Sequence, residues 1–415
     1  MLKEWIRRIY PWPTQNHENG PHYRLALDIG TEYVKAIYIE LNSDGAKVLG
    51  VGRARQDYAD MEGGAISSIP GVARCCRQAM TQGSVIAGVK PKEVVLGLAG
   101  QYVTGLARTV EKQRSKPERS LTYKELALFV KGAQQEALET VKDEMASKLG
   151  FKQMDIELVN SAVVSIRIDG YPVVNPLDFR GRNVEITLFM TFAPLVHASA
   201  MRSIANRLEL ELIAMVAEPY AVAASTLTDE AYEFGSLVID VGGGSTDIAL
   251  IQRKGIVGTK MMAMGGRAFT KGIAAHTRKT LRDAEQLKLD YAEGIGVREL
   301  ESIIGEDLEI WQSALILALR DLYHGTPLPP RVVLCGGGSG LPGIVEAIGH
   351  VRLVKAGLFS QVPQVTLLRP KQVFGIADTK EYLTSVQDVT PKSIAFQAAL
   401  VQAGKGGIIG GAMLG

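Results

Sequence analysis

The stretch from Ser236 to Leu250, SLVIDVGGGSTDIAL, joins a carboxylate to a run of glycines. Leu237-Val238-Ile239 forms a short apolar strand that runs into Asp240. Gly242, Gly243, Gly244, Ser245, Thr246 and Asp247 follow, and Ile248 to Ile251 form a second strand. A strand–turn–strand of this kind differs from the strand–turn–helix of a Rossmann or P-loop site. Glycines there let the backbone come close to a ligand and aim several N–H groups at one point, which suits a phosphate. Asp240, at the strand end, is a hard oxygen ligand placed for Mg²⁺ beside phosphate oxygens, usually through water. A tight hairpin with no ligand is the alternative reading.

The device occurs twice. Leu25 to Ile29 read as a buried strand carrying Asp28, followed by Gly30 and Thr31, and Val34 to Leu41 form the returning strand. Two carboxylates that approach each other across a phosphate cleft make sense with a cation between them. A duplicated α/β domain with one hairpin in each half would close its cleft on a nucleotide polyphosphate. Glu218 and Pro219 open a helix from which the carboxylate could orient a water toward a γ-phosphate. A carboxylate that only complements the helix dipole is the alternative. Glu285 and Lys288, one turn apart, form either a surface pair or a grip for a ribose. Gly336 to Gly343 contain a GxGxxG, but no acidic residue lies about 20 positions on to hold a ribose. A flat glycine surface at Gly336, Gly337 and Gly338 against an adenine ring fits better.

The elements that must position these residues need more than one domain, and 415 residues supply them. At 46% hydrophobic and 22% charged, the composition is that of a soluble globular chain. A net charge of +2 gives no support to nucleic-acid binding. Cys75, Cys76 and Cys335 cannot make a disulfide framework, which fits a reducing compartment. No signal peptide is evident, and no apolar run approaches the roughly 18 residues of a spanning helix. Residues 1–10 place Leu2, Trp5, Ile6, Ile9 and Tyr10 on one helical face and Lys3, Arg7 and Arg8 on the other, ahead of a polar linker. Such a helix suits a membrane surface, or docking on the protein itself or a partner.

The spans divide as follows: 1–22 the basic amphipathic helix and linker; 23–100 the first wing; 101–182 an inserted α+β unit with one long helix at about 122–148; 183–216 the first wing resumed. Residues 217–370 form the second wing, with a helical part at about 263–330; 371–403 carry a closing helix, and 404–415 a flexible glycine-rich tail. Within the helical part a helix is expected at Leu308 to Tyr323.

Taken together, Asp28-Ile-Gly-Thr31, Glu218-Pro-Tyr-Ala, Asp240-Val-Gly-Gly-Gly-Ser-Thr-Asp247 and Gly336 to Gly343 resemble the motif order of the actin-like ATPase superfamily, from about residue 24 to 403. The resemblance implies duplicated actin-like (ribonuclease H-like) domains around a nucleotide cleft, with an inserted subdomain of the FtsA and PilM kind. Gly170 to Gly181, Ala284 to Lys288 and Gly50-Val-Gly52 look more like FtsA than PilM. By that resemblance ATP and Mg²⁺ are the cofactors, with Asp28, Asp240 and Asp247 at the metal. Gly30, Thr31 and Gly242 to Thr246 would meet phosphates, Glu285 and Lys288 the ribose, and Gly336 to Gly338 the adenine. Glu218 matches a water-orienting acid, with weak ATP hydrolysis at most.

The resemblance further implies a filament-forming scaffold that tethers the tubulin-like FtsZ, through its tail, to the inner face of the cell membrane from the cytoplasm. A PilM-type pilus adaptor and a small-molecule kinase on the same fold are the alternatives. Two departures stand out. FtsA usually carries its membrane helix at the C-terminus, whereas here Leu2, Trp5, Ile6 and Ile9 offer one at the N-terminus. The region between Lys288 and Leu308 is also short, which would trim a strand pair of the subdomain that binds the FtsZ tail.

Overall fold

Two sheets with the same internal order, one in each half, account for the architecture. The computed structural model describes residues 21–42, 45–100, 103–149, 155–173, 175–252 and 254–401. The segment holding Leu2, Trp5, Ile6 and Ile9 and the tail beyond 401 lie outside the described residues. Strands β1 (His22–Ile29), β2 (Tyr33–Asn42) and β3 (Gly45–Arg55) form an antiparallel meander; after the short hairpin β4 (Met61–Glu62) and β5 (Ala65–Ile66) comes β6 (Glu93–Leu98). The inserted unit supplies β7 (Thr104–Gln113), β8 (Ile156–Ile168), β9 (Tyr171–Val173) and β10 (Asn183–Pro194), and β11 (Glu211–Ala217) returns to the first wing. A second meander follows as β12 (Ser236–Val241), β13 (Thr246–Gln252) and β14 (Gly255–Met262), then β15 (Arg331–Cys335), β16 (Gln364–Leu367) and β17 (Ile376–Ala377).

The first sheet runs β11-β6-β1-β2-β3-β17, with β6 parallel to β1 and to β11. The second runs β16-β15-β12-β13-β14 before it meets the inserted strands, with β15 parallel to β12 and to β16. Each half is therefore a three-stranded meander flanked by two parallel strands, which is the expected duplication. Central strands β1 and β12 are buried along nearly their whole length, as strands covered on both faces must be.

Helices follow the same logic. Helix α1 (Ile69–Ala87) is capped by the Ser68 hydroxyl, which accepts from the Gly71 N–H at 3.1 Å, and ends at Gly88 with φ 71°. Helices α2 (Tyr123–Leu149), α3 (Leu195–Arg207), α4 (Glu218–Thr226) and α5 (Asp229–Phe234) follow in the first half of the chain. The second wing carries α6 (Gly266–Thr277), α7 (Leu281–Ala292), α8 (Val297–Leu322), α9 (Ile344–Ile348) and α10 (Val351–Lys355), and α11 (Val389–Leu400) closes the fold. Every residue of α11 from Val389 to Ala399 is buried. A helix buried on every face belongs in the centre, and α11 packs against α4 and β1.

Two expectations are corrected. The sequence reading assigns residues 183–194 to the first wing, yet β10 lies between β7 and β8 and pairs with both along its length. Its Ile186, Leu188, Met190 and Phe192 share a core with α2, so the inserted unit extends through Pro194. The helix expected from Leu308 begins instead at Val297, because Leu300 and Ile304 are buried one turn apart on the face that continues to Trp311 and Leu315. Among the described residues, no strand lies between Met262 and Arg331.

Candidate nucleotide site

Asp28 and Asp240 occupy equivalent places near the ends of β1 and β12, so the duplication itself brings them to one cleft. That cleft has a volume of about 260 Å³. Its walls include Asp28, Gly30, Thr31, Glu218, Asp240, Gly242 to Ser245, Asp247, Glu285, Lys288 and Gly336 to Gly338. Residues from five separate stretches of sequence meet there. Across the ladder Asp28 faces Lys35, and at the equivalent place Asp240 faces Asp247. Duplicate positions thus carry opposite charges.

One assigned residue does not take part. Thr246 is wholly buried; its hydroxyl donates to the Met264 carbonyl at 2.7 Å and accepts from the Trp311 indole N–H at 3.2 Å. The period of the strand explains this: with Ser245 and Asp247 turned to the cleft, Thr246 points to the opposite face.

Charge dominates the site. Burial, relieved by Lys35 and reinforced by Asp240 and Asp388, pushes the Asp28 carboxyl up to about 6. Asp247 is pushed up to about 7, first by burial and then by Asp240, while the Ser245 hydroxyl at 2.9 Å opposes the shift. Asp240 is raised by burial, against the Thr390 hydroxyl that donates to it. Glu218 is raised well above its ordinary range, by burial and then by Asp28, Asp247 and Asp240. Lys35 is the cation acting on Asp28, Asp240 and Glu218, and its ammonium donates to the Gln387 carbonyl. Four carboxyls around one ammonium are short of positive charge, and a divalent cation would restore the balance. Among the described residues no three His, Cys, Asp or Glu side chains converge to cage a metal alone. A cation here must therefore also take oxygens from water or from a ligand, as Mg²⁺ does in phosphate sites.

The backbone is shaped to the same end. The Gly242 N–H closes its turn on the Ser245 carbonyl at 2.8 Å. A Cβ on Gly244 would lie 2.6 Å from the Thr31 hydroxyl, and one on Gly243 would lie 2.9 Å from the Glu32 Cβ. The two hairpins therefore touch across the cleft. Gly336, with φ 87°, would put a Cβ 2.1 Å from the Asp240 carboxylate, so glycine is required there by both backbone and contact. Lys288 donates to Glu285 at 2.8 Å, to the Thr270 hydroxyl at 3.0 Å and to the Gly266 carbonyl at 3.1 Å. The pair is consequently a braced part of the wall, not a free surface pair.

Sequence reasoning missed Lys35, Glu32, Gln387 and Thr390, all of which line the cleft. Lys35 carried a readable signal, as a charge within the apolar run Val34-Lys35-Ala36-Ile37 opposite Asp28. Gln387 and Thr390 arrive from the far end of the chain and carried none.

A family model described as "Cell division protein FtsA" matches residues 237–386. Curated relatives include the cell division protein FtsA of Streptococcus pneumoniae, 26% identical over 385 residues that cover 88% of this chain and 80% of that protein. That of Bacillus subtilis is 22% identical over 353 residues, covering 79% of this chain and 76% of that one. Among solved structures, a chain of the "PilM-PilN type IV pilus biogenesis complex" superposes with a TM-score of 0.62 at 16% identity, covering 91% of this chain and 97% of that chain. Duplicated wings and an inserted sheet give the chain the actin-like ATPase fold, and over most of its length its sequence is similar to the cell division protein FtsA.

Proposed function

We propose that the cleft binds ATP with Mg²⁺ and that the chain acts as an FtsA-type scaffold. It would polymerise with nucleotide and link a division filament to the cytoplasmic membrane. One observation carries the nucleotide reading: two glycine hairpins meet over three buried aspartates and the half-buried Glu218, which Lys35 alone does not neutralise. Asp28, Asp240 and Asp247 would hold Mg²⁺ through its bound waters, with phosphate oxygens completing the shell. When bound, the metal supplies the positive charge that offsets these carboxyls. Thr31, Gly243, Gly244 and Ser245 would face the phosphates, Glu285 and Lys288 the ribose, and Gly336 to Gly338 the base.

Glu218 would be the acid that orients a water. Desolvation and then Asp28, Asp247 and Asp240 raise its carboxyl well above the ordinary range, and a cation beside it would oppose that shift, so any hydrolysis would require the metal and would be slow. The scaffold role rests on the family likeness, and the membrane role on the basic amphipathic segment 1–10. The FtsZ tail is the partner that likeness suggests. It would have to dock on a helical second wing in which no described strand separates α7 from α8.

Titration calorimetry with ATP and Mg²⁺, and with ATP and EDTA, tests the nucleotide reading. Binding should require Mg²⁺ and weaken by about tenfold or more in Asp240→Asn, the scale of one lost charged contact. Failure of the wild-type chain to bind any nucleoside triphosphate would overturn the reading. Sedimentation with anionic vesicles, with and without residues 1–20, tests the scaffold. Filaments on lipid that need ATP and are lost with the deletion support it; monomers indifferent to both count against it.

A further inference from the structure

One buried cation outside the carboxyl cluster has work that catalysis does not explain. Arg267, in the first turn of α6, is 7% exposed. Its side chain leaves the second wing and crosses to the first. The guanidinium donates to the Thr31 carbonyl at 2.6 Å, to the Met61 carbonyl at 3.0 Å and to the Glu32 carboxylate at 2.9 Å. It also lies over the Tyr58 ring, 4.4 Å from the centroid. Its own backbone N–H donates to the Gly243 carbonyl at 2.7 Å. A single residue thus holds the glycine turn of one hairpin by its main chain and Thr31 of the other by its side chain. Lys271, one turn further along α6, reaches Glu62 at 3.4 Å, and the Tyr58 hydroxyl reaches the Leu281 carbonyl at 3.4 Å. The contacts gather on one side of the cleft, between the segment 57–62 and the start of α6 and α7.

We propose that Arg267 is a latch between the wings, which holds the two phosphate-facing hairpins together and sets how long the cleft stays closed on its contents. Five donors in a planar fork suit this duty, because they satisfy two carbonyls and a carboxylate at once. Breaking the latch leaves no orphaned charge in the first wing: Glu32 keeps Arg55, whose guanidinium donates to it at 2.7 Å. Opening therefore exchanges three bonds of Arg267 for water and leaves the fold of each wing alone. The latch acts through Thr31 and Gly243 and is a positioning residue. The nucleotide part of this inference rests on the function proposed above; the closure part does not.

The test uses the full chain with Arg267→Ala, Arg267→Lys and Glu32→Gln. Release of a fluorescent N-methylanthraniloyl-ATP is timed after a chase of unlabelled ATP. In parallel, spin labels at Val85→Cys and Leu317→Cys, exposed positions in the first and second wings, report the distance between them; the native cysteines are buried. Arg267→Ala should speed release by about tenfold or more and broaden the distance distribution, with Arg267→Lys between it and wild type. Glu32→Gln should move both readouts in the same direction by less. Unchanged release and unchanged distances in Arg267→Ala and Arg267→Lys would overturn the latch. Should the wild-type chain bind no nucleotide, the nucleotide reading fails and the distances alone decide. A broadened distribution then still supports the latch, and an unchanged one overturns it. If Arg267→Ala does not fold, Arg267→Lys and Glu32→Gln decide the matter by the same two readouts.

Discussion

Asp247 shows what crowding buried carboxyls together costs a fold. Its carboxyl is pushed up to about 7 in the folded chain and ordinarily sits at 3.8. Between those values the folded state binds more protons than the unfolded one, so stability falls as pH rises from about 4 to 7 and stays lower above. The upper bound of that cost is roughly 4 kcal/mol at 1.36 kcal/mol for each unit of pKa. Asp247→Asn keeps an oxygen for the Ser245 hydroxyl and removes the charge. Without ligand, the variant should melt several degrees above wild type at pH 8 and alongside it at pH 4. ATP and Mg²⁺ should then reverse the order at pH 8, because the variant lacks a carboxylate for the metal's waters. Equal melting at pH 8 without ligand would show that Asp247 does not bear this cost.

Between elements, close crossing does what charge does in the cleft. Gly50 and Gly52 on β3 read as a family mark in the sequence; the structure supplies the reason. A Cβ on Gly52 would lie 1.8 Å from the Ala79 carbonyl and 2.6 Å from the Gly83 amide, and one on Gly50 would lie 2.7 Å from the Ala87 amide. Helix α1 therefore lies directly on the backbone of β3. Gly52→Ala should lower stability by about 1–3 kcal/mol or more by overpacking, measured by denaturant unfolding, while Gly132→Ala in α2, with open space around it, should not. Equal loss in both would mean that the crossing is not tight. The hairpins and α11 were legible because glycine runs and apolar strands are local signals. The start of α8 was hidden by Gly305 in mid-helix and by polar residues between Leu300 and Ile304. The register of β10 was hidden for another reason: alternating strands read alike whichever sheet they join.

At the scale of the molecule, the inserted unit joins the second wing through a narrow seam. β14 and β7 share one register pair, Gly258 with Leu106, and the Gly105 N–H donates to the Thr259 hydroxyl at 2.8 Å instead of to a carbonyl. By contrast β10 pairs with β7 and β8 along its full length. The inserted unit also packs Val159 and Ala193 into the first wing's core and Phe189 into the core shared by both wings, so it touches both halves. A seam resting on one backbone pair and one side-chain acceptor is the weakest join within that sheet. Nothing local in the sequence marks such a join, since a threonine in a strand ordinarily reads as surface or filler. Thr259→Val keeps the shape and removes the acceptor, leaving a buried N–H unpaired at a cost of about 1–3 kcal/mol. Hydrogen exchange should then rise at residues 104–106 while the amides between β8 and β10 keep their protection. Exchange that rises evenly across the whole inserted sheet would show instead that the seam and the unit open as one body.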